Sequence, residues 1–75
     1  MPRRTTPDPL ALKLGKRVQK LREAAGLTME QLAGRGIDKS HVSVLERGLL
    51  VPNLHTLKAL ADGLGISMSE LVKGV

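Results

Sequence analysis

Gly26, the Gly34/Gly36 pair, Gly48 and Gly65 cut this chain into five short stretches. Near the start of each stretch stands a residue that caps helices: Asp8, Thr28, Asp38, Asn53 and Ser67. That punctuation admits short helices joined by tight turns and excludes a long coiled coil, since no heptad survives three repeats. The first helix is expected from Pro9 or Leu10 to Ala25, with Pro9 at the first helical position, where its missing N–H costs nothing. Leu10, Leu14, Val18, Leu21 and Ala25 recur at spacings of three and four and predict its apolar face. Thr28 and Gln31 form a capping-box pattern, with Leu27 placed to staple against Leu32, and this second helix is expected to last roughly two turns, to Gly34. A third runs from Lys39 to Arg47 with Val42 and Leu45 inward. A fourth runs from Asn53 to Leu64 with Leu54, Leu57, Leu60, Ala61 and Leu64 inward. A last short helix follows Ser67, which with Glu70 repeats the capping-box pattern, and presents Met68, Leu71 and Val72.

Seventy-five residues suggest one domain with a modest core. With no Phe, Tyr, Trp or Cys, that core is built from Leu, Val, Ile, Ala and Met and carries no disulfide. The missing aromatics remove the stacking platforms of a general single-strand binder. The opening MPRRTTPDP lacks the apolar run of a signal peptide or membrane span. Residues 1–8 are therefore expected to be a flexible basic arm before a domain over 9–75, and the chain to be cytoplasmic, without a membrane partner. Charge is uneven: residues 1–47 carry ten Lys and Arg against five Asp and Glu, whereas residues 48–75 carry two of each. Such asymmetry suits a domain that turns one face to phosphates.

The second and third helices, parted by a tight glycine-containing turn, have the helix-turn-helix pattern. Through LGKRVQKLREAAGLTMEQLA, IDKSHVSVLERG and PNLHTLKALADGLGISMSELV the chain resembles the Cro/C1-type, XRE-like helix-turn-helix regulators. That resemblance implies an all-α, compact, lambda-repressor-like domain of four or five helices whose third helix enters the DNA major groove. Three features depart from the family pattern. Met29 stands where relatives place a phosphate-anchoring glutamine, the turn AGRGIDKS is one residue short, and the usually polar segment after Gly48 is Leu49-Leu50-Val51.

The resemblance implies that Arg22 and Glu46 form a structural ion pair, and a guanidinium fork can engage a carboxylate through two parallel bonds. It also assigns base reading to Lys39, Ser40 and Val44. Lys39 can donate to guanine O6 and N7, Ser40 can donate or accept, and Val44 can touch a thymine methyl. Thr28, Ser43, Arg47, Arg35 and Arg17 are candidates for phosphate or rim contacts. His41 either meets a phosphate or packs at the rim, and Arg3 and Arg4 can follow the minor groove or the phosphates.

These readings predict a sequence-specific double-stranded-DNA-binding transcriptional regulator. A homodimer on paired half-sites is expected because one short helix reads few bases. Leu50, Met68, Leu71 and Val72 are the expected dimer surface, although Leu49–Val51 also suits a separate protein partner, as in an antitoxin-like interaction module. No cofactor is expected, and two histidines alone make a metal site improbable. Enzymatic activity is not expected either. There is no cysteine nucleophile or glycine-rich phosphate loop, and Asp38 and Glu46 have structural roles.

Overall fold

The computed structural model describes residues 8–34 and 36–75. Among them are five helices: α1 (Pro9–Ala24), α2 (Met29–Leu32), α3 (Lys39–Glu46), α4 (Leu54–Leu64) and α5 (Met68–Leu71). Of the expected arm only Asp8 is described, so Arg3 and Arg4, like Arg35 in the turn, lie outside the described residues. Among the described residues no helix is long and apolar enough to cross a membrane.

Local chemistry sets the helix starts. The Asp8 carboxylate accepts from the Leu10 N–H at 2.8 Å, Asp38 from His41 at 2.8 Å and Asn53 from Thr56 at 2.8 Å. Each satisfies a donor that a helix N-terminus otherwise leaves open. At α2 the capping box closes in both directions: Gln31 N–H donates to the Thr28 hydroxyl at 3.1 Å, and Thr28 N–H to the Gln31 amide oxygen at 2.9 Å. At α5 only half of the box forms. Glu70 N–H donates to the Ser67 hydroxyl at 3.1 Å, but the Glu70 carboxylate takes an Arg17 guanidinium at 3.1 Å instead.

Leu32, Leu45, Leu60, Leu71, Val18 and Val42 are the largest fully buried side chains. Burial of each contributes about 1.5–3 kcal/mol. The buried side of α1 is Ala11, Leu14, Gly15 and Val18, so the stripe expected through Leu10 and Ala25 is displaced: Leu10 is 59% exposed and Ala25 is exposed. Small residues win because α1 crosses α3 backbone to backbone. A Cβ on Gly15 would lie 2.5 Å from the Leu45 carbonyl oxygen and 2.7 Å from that of Glu46. Just beyond α3, Gly48 has φ +77°, and a Cβ there would lie 2.9 Å from Leu12 Cα. That position is closed to side chains by conformation and by contact alike.

The second helix is a single turn, shorter than expected. Ala33 is already extended, and Gly34 and Ile37 then exchange N–H···O bonds of 2.7 and 2.9 Å. This isolated antiparallel bridge occupies backbone groups that a second turn would have used, and it carries Ile37 into the core at 8% exposure. In α4 the buried residues are Thr56, Ala59, Leu60 and Ala61, with Leu57 and Leu64 half-buried. Leu54, expected inward, is 70% exposed at the first turn of the helix.

The expected dimer surface needs correction. Leu71 is 0% exposed and belongs to the core, because α5 docks on α4 through it and no part of its side chain reaches a second molecule. Leu50 and Met68 are half-buried against the same core, and Val72 is 40% exposed. Along Leu49-Leu50-Val51 the side chains alternate, so Leu50 turns inward while Leu49 and Val51 face out.

Candidate nucleic-acid interface

Helical periodicity divides α3 into two sides. Val42, Leu45 and Glu46 point into the domain, whereas Lys39, Ser40 and Arg47 are exposed and Ser43 and Val44 partly so. The outward residues come together. Lys39, Ser40, Ser43, Val44 and Arg47 line one open depression, and Met29 of α2 forms its edge. The three residues expected to read bases thus share a surface with two of those expected at its rim. Within it Arg47 closes the helix, and its Nε donates to the Ser43 carbonyl at 3.3 Å. Its second and third guanidinium nitrogens are free of described partners.

The depression offers a cation at each end, hydroxyls between them and one branched apolar side chain. Those are the elements that base edges, phosphates and a thymine methyl require. Met29 has no donor to offer a phosphate. Thr28 lies outside the lining, and its hydroxyl is held in the capping box, where its own proton remains to donate. His41 is turned away. It lines a different depression with His55, Asn53 and Thr56, so the chain's two histidines share one recess between α3 and α4. Among the described residues no group of three or more potential ligands could hold a metal ion.

Arg17 is not at this surface. Its Nη2 donates to the Glu70 carbonyl at 2.7 Å and to the Glu70 carboxylate at 3.1 Å, so the side chain expected at the rim clasps α5 to α1. Sequence reading missed this clasp because the Ser67–Glu70 spacing fully accounts for the glutamate within its own helix.

A second clasp holds α3. Arg22 Nε donates to Glu46 Oε2 at 2.6 Å and Nη2 to Oε1 at 3.1 Å, a parallel bidentate pair, while Nη1 donates to the Leu27 carbonyl at 2.9 Å. The two side chains are 11% and 3% exposed. One guanidinium therefore ties the end of α1, the α1–α2 connection and the end of α3. The hydrogen bond to Glu46 raises the Arg22 pKa above its ordinary value. Burial opposes that rise, and the charges of Glu46 and then Glu23 add to it.

Comparison with known proteins agrees with this architecture. The helix-turn-helix family model matches residues 18–71, from the middle of α1 to the end of α5. The chain is 40% identical over 65 residues to the HTH-type transcriptional regulator DdrOP3 of Deinococcus deserti, covering 85% of this chain and 50% of that protein. It therefore spans half the length of that relative. It is 42% identical over 60 residues to the uncharacterized HTH-type transcriptional regulator y4dJ of Sinorhizobium fredii, covering 79% of this chain and 78% of that one. Among solved structures, the restriction-modification controller protein C.AhdI of Aeromonas hydrophila superposes with a TM-score of 0.77 at 40% identity, over 81% of this chain and 94% of the controller. A five-helix domain with a paired α2 and α3, matched over most of its length by regulators of one kind, belongs to the Cro/C1-type, XRE-like helix-turn-helix family of transcriptional regulators.

Proposed function

We propose that the domain is a sequence-specific double-stranded-DNA-binding regulator that works as a homodimer, reading bases from the outward side of α3. One observation carries this reading: Lys39, Ser40, Ser43, Val44 and Arg47 share a single open surface while the other side of the same helix is core. Lys39 donates to a guanine edge, Ser40 bonds a base edge and Val44 meets a thymine methyl. Arg47, Ser43 and the Thr28 hydroxyl hold phosphates and set the register. Binding across a promoter would then regulate by occupancy, without chemistry on the DNA. Selection from a random duplex library, followed by titration at several salt concentrations, tests this reading. Enrichment of a short paired motif is expected, and failure to enrich any sequence would refute it.

The dimer contact we propose is the apolar groove where Leu10, Val51, Leu57, Val72 and Val75 converge. A two-fold pairing there would present two copies of α3 to half-sites about one helical turn apart. Sedimentation should give twice the monomer mass at micromolar concentration, and Val72→Asp should return it to the monomer with the helical signal kept. The exposure of Leu49 and Val51 also favours a second reading, in which the main partner is another protein. A stable stoichiometric protein complex with no salt-sensitive duplex binding would select that reading.

A further inference from the structure

Most of the domain's positive charge is not on the α3 surface. The depression there holds two cations, Lys39 and Arg47. On the outer side of α1, Lys13, Lys16 and Lys20 follow one another at spacings of three and four, which places them on one strip of the helix. The end of the chain brings Lys73 against that strip, and the four lysines line a depression together with Arg17, which Glu70 already engages. All four lysines are exposed. None takes part in the described ion pairs, whose cations are Arg17, Arg22 and Lys58. Four neighbouring ammonium groups outside the described ion pairs repel one another and form a focus of positive potential.

The composition of this face selects its partner. Protein interfaces deplete lysine and place aromatic residues, methionine and arginine at their centres. Here the chain has no aromatic residue and Val75 is the one apolar side chain in the lining. A lysine ammonium is a hydrated point charge without the planar fork that recognises a particular carboxylate. Flexible point charges in a row match a run of phosphates, where attraction comes from released counterions and needs no shaped contact.

We propose that Lys13, Lys16, Lys20 and Lys73 form a second, sequence-independent phosphate-binding face, separate from the α3 depression, that grips a DNA backbone. The proposal rests on the DNA-binding reading for the identity of its ligand, and it is independent of which bases α3 reads. The backbone belongs either to the same duplex beyond the half-site or to a second duplex.

The test compares the wild-type chain, Lys13→Gln/Lys16→Gln/Lys20→Gln and Lys39→Ala. The triple variant changes only exposed positions to residues of similar helix propensity, and circular dichroism checks its fold. Fluorescence anisotropy over a salt series measures binding to the selected duplex and to a random-sequence duplex. For the triple variant the slope of log affinity against log salt should become shallower by about 2–3 on both duplexes, since each lost phosphate contact removes about 0.9. The ratio of specific to random affinity should stay unchanged. Lys39→Ala should show the reverse, a lower ratio with nearly the same slope on random duplex. A triple variant with the wild-type slope on random duplex overturns the lysine face whatever α3 does. If no sequence is selected but the random-duplex slope still falls, base reading is refuted and the lysine face stands. Energy transfer between two separately labelled short duplexes, present with wild type and lost in the triple variant, identifies a second duplex as the source. A slope change that requires flanking DNA on one duplex identifies the same duplex.

Discussion

Removing the Glu46 carboxylate tests the strongest polar tie in the domain. Glu46→Ala leaves a guanidinium that is 11% exposed with the Leu27 carbonyl at 2.9 Å and the distant Glu23 carboxylate at 3.9 Å. Leaving a buried charge without its partner costs about 3–5 kcal/mol. The two surviving contacts and water entering the vacated space favour the low end, about 3 kcal/mol. A 75-residue domain has a total stability of about 4–11 kcal/mol, so the loss is a large share of it. At roughly 4–8 °C per kcal/mol, the melting temperature should fall by about 12–24 °C. Urea denaturation followed by circular dichroism reads the free energy directly. Glu46→Gln, which keeps a neutral acceptor, should lose roughly half as much. Arg22→Met/Glu46→Leu should recover most of the loss, because no charge is then stranded. Since pairing raises the Arg22 pKa, its ionic contribution is complete below the ordinary arginine value and is lost only as pH climbs through the raised one. Moving between about pH 6 and 9 therefore should not restore Glu46→Ala. A Glu46→Ala domain within about 0.5 kcal/mol of wild type would refute the reasoning, and so would a double variant no better than the single one.

Gly15→Ala should destabilise by about 1–2 kcal/mol in the same urea assay, although alanine is the better helix former by about 1 kcal/mol, because its Cβ must push α1 away from the Leu45 and Glu46 carbonyls. A stabilised variant would show that the crossing yields freely. Arg47→Ala should weaken binding evenly across duplex sequences with a salt slope shallower by about 0.9, and a loss confined to one base position would make it a base reader. Arg17→Ala should cost less than about 1 kcal/mol globally, since the Arg17–Glu70 pair is partly exposed, yet amide exchange at Leu71 and Val72 should quicken. Unchanged exchange there would leave the clasp without a role in holding α5.

Which features were legible follows from the range of the interactions that produce them. Helix starts could be read because a cap acts within three residues, as Asp8, Thr28, Asp38 and Asn53 do. The inward side of α3, Val42 and Leu45, could be read from periodicity, whereas Lys39, Ser40 and Val44 at its outer surface were singled out by the family resemblance. The apolar stripe of α1 was misplaced because a leucine count gives no weight to Ala11 and Gly15, whose small size is what admits α3. The second turn of α2 was lost to hydrogen bonds between Gly34 and Ile37, a pairing that neither residue announces alone. Leu71 read as surplus apolar surface because its partners on α4 are not sequence neighbours, and Arg17 and Glu70 lie 53 positions apart.

The crossing of α1 and α3 also sets how new binding preferences can arise. Gly15 brings α1 onto the backbone at the end of α3, so at that point no side chain lies between the two helices to act as a cushion. Such a joint transmits orientation without give, and a substitution on the far side of α3 has little leverage on its tilt. Under the proposed reading, Lys39, Ser40 and Val44 can then be exchanged as interchangeable type on a fixed press. Libraries varied at those three positions should return mostly folded proteins with different operators, whereas variation at Gly15 should shift the whole alphabet at once.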